Sequence, residues 1–135
     1  MRATRVLVVD DNAMFIELAS FTLSAAGYVV ESAADAHRAL VQIALFLPDV
    51  ILMDIQMPVM DGIELTRRLK ADAATQHIVI VAFTAFAAKG DALTLQSAGF
   101  DGYIPKPVNV QTLGAEVGFW LEGPASARRS HFAWP

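Results

Sequence analysis

Asp49-Val-Ile-Leu-Met-Asp54 is the stretch that decides the fold. Its apolar centre shows no polar alternation, and it stops abruptly on an acid. A short run of this kind reads as a strand covered on both faces, the habit of parallel sheets. Two other runs repeat the pattern. Arg5-Val-Leu-Val-Val9 stops at Asp10-Asp11, and Ile78-Val-Ile-Val-Ala-Phe83 stops at Thr84. Tyr28-Val-Val-Glu-Ser32 and Gly102-Tyr-Ile104 supply second and fifth strands in chain order. Helical patterns lie between them. Asn12 caps one running to about Ala26 and ending at Gly27. Asp35 caps the next, with Ala36, Leu40, Ile43 and Leu47 on one face, ending before Pro48. Ile63 to about Ala71 follows the Pro- and Gly-bearing loop Gln56–Gly62. Lys89–Ala98 closes at Gly99. Val110–Glu122 places Leu113, Val117, Trp120 and Leu121 on its buried side. The alternation predicts an α/β protein, a doubly wound (βα)5 parallel sheet with helices on both faces; in the strand order 2-1-3-4-5, strands one and three are neighbours at the switch point.

That architecture accounts for an unusual composition. The chain has 135 residues, 55% of them hydrophobic and only 18% charged, with a mean hydropathy of +0.45. Disorder is excluded by that balance. A membrane span is not indicated, because no apolar stretch of about 18 residues is uninterrupted; Gln42, Pro48 and Asp49 break the longest one. Strands buried on both faces absorb the excess instead. The N-terminus lacks the pattern of a signal peptide, and cysteine is absent, which removes disulfides and thiolate metal sites. Both points fit the cytoplasm. The net charge of −4 and the lack of a basic track argue against nucleic acid as a direct partner. Residues 1–122 are expected to form one domain and 123–135 a flexible C-terminal tail.

In open α/β sheets, ligands sit beyond the carboxyl ends of the strands. Asp10 and Asp11 end the first strand, Asp54 the third and Thr84 the fourth, and Lys106 follows the fifth. Each Asp alone is most simply a turn residue. Together on one sheet edge they describe a pocket. Converging carboxylates repel unless neutralised, and an all-oxygen donor set favours a hard cation such as Mg²⁺. Carboxylate, Mg²⁺, hydroxyl and Lys suit transfer of a phosphoryl group onto an aspartate. Asp54, the lone acid at the end of its strand, is the expected acceptor; Asp10 and Asp11 are better placed to hold metal. His37, His77 and His131 show no metal-ligand spacing.

Val8-Val-Asp-Asp-Asn12, Pro48-Asp-Val-Ile-Leu-Met-Asp54, Met57-Pro-Val-Met-Asp-Gly62, Phe83-Thr-Ala85, Lys89-Gly-Asp91, Ala98-Gly99 and Gly102-Tyr-Ile-Pro-Lys-Pro107 resemble the receiver domain of bacterial two-component response regulators. The resemblance runs from about Arg5 to Leu121. It implies that Asp54 takes a phosphoryl group from a phosphohistidine on a histidine kinase or phosphotransfer protein. It further implies that Asp11, Asp54 and the Gln56 carbonyl coordinate Mg²⁺, with Asp10 helping through water. Lys106 would pair with the phosphoryl group and Thr84 would hydrogen-bond it. Tyr103 would turn inward as Thr84 moves, and the Lys106–Pro107 bond would be cis. Added charge at Asp54 would then reshape the surface of the fourth helix, fifth strand and fifth helix for a downstream protein target. Val79, in place of a frequent Pro, and Pro105 depart from common family usage without touching the chemistry.

The reading is a signalling phosphoacceptor rather than an enzyme, acting as a monomer or weak dimer. A receiver piece of a larger regulator or hybrid histidine kinase is the alternative. An Asp-nucleophile phosphatase is disfavoured because such enzymes carry the nucleophile on the first strand with a second Asp two residues on. A receiver that binds without being phosphorylated conflicts with the complete Asp–Thr–Lys set. Phe86, two residues after Thr84, is expected to flank the path of attacking water and slow phosphate loss. Phe119 falls off the buried side of the last helix and is expected on the output surface.

Overall fold

A computed structural model describes residues 3–55, 61–84, 89–105 and 110–121. The chain order is β1 (Arg5–Val9), α1 (Ala13–Ala25), β2 (Val29–Ala33), α2 (Ala36–Phe46), β3 (Val50–Asp54), α3 (Gly62–Ala71), β4 (Val79–Thr84), α4 (Lys89–Ala98), β5 (Gly102–Pro105) and α5 (Val110–Leu121). All pairings are parallel, and the sheet order is β2-β1-β3-β4-β5. The element types and topology match the sequence expectation, with boundaries displaced by a residue or so. Gln56, Phe86, Lys106, the Lys106–Pro107 bond and the tail lie outside the described residues, as do the side chains of Thr84 and Trp120.

The central strands are covered on both sides. Val6–Val9 and Val50–Met53 are fully buried. Alternate residues feed two cores. Leu7, Val9, Ile51, Met53, Ile80 and Ala82 pack with α2, α3 and α4. Val6, Val8, Leu52, Val81 and Phe83 pack with α1 and α5. β2 differs, because it is an edge strand whose burial alternates. This is where the apolar excess goes, and no helix of the described residues is long and apolar enough to cross a membrane.

One expectation needs correcting. Leu47 is not on the buried face of α2. It caps the helix in the left-handed region, at φ 55° and ψ 65°, and is 63% exposed. Pro48 is the cause: its ring disfavours helical backbone in the residue before it. The expected caps are in place. Asn12 Oδ1 accepts from Phe15 N at 3.1 Å, and Asp35 Oδ1 accepts from Arg38 N at 2.7 Å.

Candidate functional site

The site lies at the carboxyl edge, where the sheet order reverses direction between β1 and β3. Register pairs Val9 with Met53, so Asp10 and Asp54 follow at the same level. Asp10, Asp11 and Asp54 each bring a carboxylate oxygen within 4.8 Å of the others. Asp10 is 1% exposed and Asp54 5%, whereas Asp11 faces solvent. The three acids that the sequence singled out are therefore in one place.

Local backbone chemistry holds them there. Asp10 N donates to Ala33 O at 3.1 Å, tying the end of β1 to the end of β2. Asp10 Oδ1 accepts from Asn12 N at 2.9 Å, which fixes the turn that carries Asp11. On the other side, Gly62 N donates to Ile55 O at 2.9 Å. A Cβ at Gly62 would collide with the Asp54 carbonyl oxygen and lie 2.9 Å from Met53 Cγ. Only glycine lets α3 begin against the strand end that bears Asp54. Asp61 completes the joint by accepting from Glu64 N at 2.9 Å.

Buried like charges at this spacing disfavour one another unless a positive group shares the space. The donor set is oxygen only, and two of its members are buried. It fits Mg²⁺ or a similar hard cation, which would bind carboxylate oxygens and keep part of its water shell.

The neighbours of the pocket are partly described. Thr84 ends β4, its backbone paired in register with Pro105, while Phe83 pairs with Asp54. Phe15, in the first turn of α1, meets Phe83 edge to face at 4.9 Å and 74°. That contact seats α1 beside the pocket. Tyr103 pairs with Ala82 and is half-buried against the core shared by α2, α3 and α4. Phe119 is 43% exposed on α5.

A model of the response regulator receiver domain matches residues 6–118. The chain belongs to that family. PleD of Caulobacter vibrioides, a response regulator, is 39% identical over 115 residues, which are 85% of this chain but 25% of PleD. The chain thus spans a quarter of that relative's length. The polar-differentiation response regulator DivK of Brucella anthropi is 39% identical over 105 residues, or 78% of this chain and 85% of DivK. Among solved structures, the chemotaxis response regulator CheY4 of Vibrio cholerae superposes with a TM-score of 0.84 at 32% identity, covering 89% of this chain and 100% of that one. The fold is therefore the flavodoxin-like arrangement of CheY-type receivers. Receiver domains act as signalling phosphoacceptors in two-component systems, and this chain is one of them by family.

The sequence did not single out the outer face of α1. Met14, Leu18 and Phe21 are exposed there, directly after the acids. The helix Ala13–Ala25 has apolar residues all round, so its periodicity does not choose a buried side.

Proposed function

We propose that this receiver takes a phosphoryl group on Asp54 from a phosphohistidine of a histidine kinase or phosphotransfer protein. One observation carries the proposal: Asp54 shares a pocket with Asp10 and Asp11 at the switch point of the sheet. In the transfer, an Asp54 carboxylate oxygen forms a bond to phosphorus as the P–N bond to imidazole breaks. The leaving imidazole keeps the electron pair and is protonated. Such reactions need in-line placement and charge neutralisation more than acid–base groups. A carboxylate attacks through an oxygen lone pair and sheds no proton in the step.

We assign Asp11, Asp54 and the Gln56 carbonyl to direct Mg²⁺ coordination and Asp10 to support through water. The ion would supply charge neutralisation for the phosphoryl oxygens. Asp10 anchors the Asp11 turn through its bond from Asn12 N. Lys106 is assigned to pair with the phosphoryl group, and Thr84 to donate a hydrogen bond to it. Tyr103, on the strand paired with β4, is assigned to follow Thr84 and pass the change to the α4–β5–α5 surface, where a downstream protein target binds. The receiver unit is taken as residues 1–122, acting in the cytoplasm as a monomer or weak dimer. A receiver within a longer regulator has the same chemistry, as the partial coverage of PleD allows.

Phosphoramidate, whose P–N bond mimics that of phosphohistidine, provides the test. With Mg²⁺ the chain should gain an acid-stable, base-labile phosphoryl group, and EDTA should prevent it. Labelling that is indifferent to EDTA would overturn the assignment of the metal.

A further inference from the structure

The amino edge of the sheet, away from the acids, carries an apolar face of its own. In the second half of α2, Val41 is 55% exposed and Leu45 75%, and Leu47, just past the helix, is 63% exposed. Arg38, Val41 and Leu45 stand at i, i+3 and i+7 on one outer stripe. Beside this stripe, between α2 and the end of α3, lies a cleft of about 320 Å³. Its floor is Ile43, Leu69 and Ile78, all buried. Leu47 and Asp72, both exposed, line its mouth. The volume is at the low end of the roughly 300–1,000 Å³ of ligand cavities. It suits a branched side chain or two better than a cofactor.

Leu47 supplies a second observation. Among the described residues it is the one non-glycine with a positive φ, 55°. Stability alone favours glycine at such a helix end. Leucine there adds backbone strain and leaves a large apolar side chain in water. An apolar surface closing on Leu47 would offset the second cost. Strain and an exposed apolar group at one position together point to a contact.

The chemistry of the face selects its partner. Projecting leucines and a leucine-sized cleft lie side by side, and a two-fold contact requires a patch that complements itself. On the stripe and in the cleft the charged residues are Arg38 and Asp72. One charge of each sign suits a like surface better than a strongly charged one. At roughly 100 Å² for a solvated aliphatic side chain, Val41, Leu45 and Leu47 together expose about 200 Å². That apolar centre is small beside the roughly 800 Å² that each partner of a standard complex contributes, so the contact is weak.

We propose that two copies of this chain pair across this face, with Leu45 and Leu47 of each seated at the cleft of the other. Asp10, Asp11 and Asp54 lie at the opposite edge, so both pockets stay open to a phosphoryl donor. The pairing gives the weak dimer its surface and does not depend on the phosphoacceptor reading of Asp54.

Sedimentation equilibrium of the full chain, from micromolar to millimolar concentration, tests the pairing. The mass should rise from 14.6 kDa toward twice that value. Leu47→Gly removes the side chain and suits the backbone, so it should fold at least as stably as the parent. Combined with Leu45→Ser, an exposed position, it should weaken the dimer about tenfold or more. Phe21→Ser, on the exposed α1 ridge of Met14, Leu18 and Phe21, should leave it unchanged. A parent chain that keeps the monomer mass at every concentration would overturn the proposal. So would a dimer that survives the paired variant at full strength, or one that Phe21→Ser alone dissolves.

Discussion

The two edges of this sheet treat their acids in opposite ways. At the amino edge, Asp101 Oδ2 accepts from Lys70 Nζ and from Ile80 N, each at 2.9 Å. Lys70 Nζ also donates to Ile78 O at 2.6 Å, and Asp49 Oδ2 accepts from Arg5 N at 2.8 Å. Each of these acids meets a cation or a backbone N–H and fastens one element to another. At the carboxyl edge, Asp10, Asp11 and Asp54 are gathered together. Evolution of stability alone would not favour three carboxylates in one pocket, two of them buried. The acids before β3 and β5 join neighbouring elements, while those after β1 and at the end of β3 share one pocket.

The contrast can be broken from either side. Asp101→Ala should have the largest effect, because it takes away both the carboxylate partner of Lys70 and the acceptor of the buried Ile80 N–H. A loss of about 3 kcal/mol is expected in urea unfolding, the cost of breaking a buried pair from one side. Folded Asp101→Ala should still take up phosphate. Gly62→Ala is next, at about 1–3 kcal/mol from overpacking against Asp54, and it should also slow labelling, unlike Asp101→Ala. Asp11→Asn should act with the opposite sign. In EDTA it should unfold at a higher temperature than the parent, since one of three like charges is gone. It should also lose most of the Mg²⁺ stabilisation, which for the parent is about 2.7 kcal/mol at a hundredfold excess over Kd.

Glu116 gives the smallest effect and depends on pH. It is half-buried on α5, and among the described residues its Oε2 has no hydrogen-bond partner. Burial raises its carboxyl above the usual range. A folded-state pKa above the unfolded value costs nothing while both states are protonated. The penalty grows as pH rises through the unfolded pKa and is complete above the folded one. Glu116→Gln should therefore be slightly stabilising at pH 7 and neutral in acid, as read by thermal unfolding at the two pH values.

Much of this was legible in the sequence. Uninterrupted apolar runs ending in acids announced the parallel sheet, and strand direction alone placed Asp10, Asp11 and Asp54 on one edge. Leu47 was misplaced because periodicity carried the helix one residue too far, into the reach of Pro48. The Lys70–Asp101 fastening was not legible, since it joins residues 31 apart in sequence with no local pattern. The ridge on α1 was hidden for a different reason. A helix with apolar residues on every side does not say which of them face water.

Intact mass after incubation with acetyl phosphate and Mg²⁺ bears most directly on the central claim. The parent chain should gain the mass of a single phosphoryl group, and Asp54→Ala should gain none. No adduct on the parent, or an adduct that persists in Asp54→Ala, would contradict it.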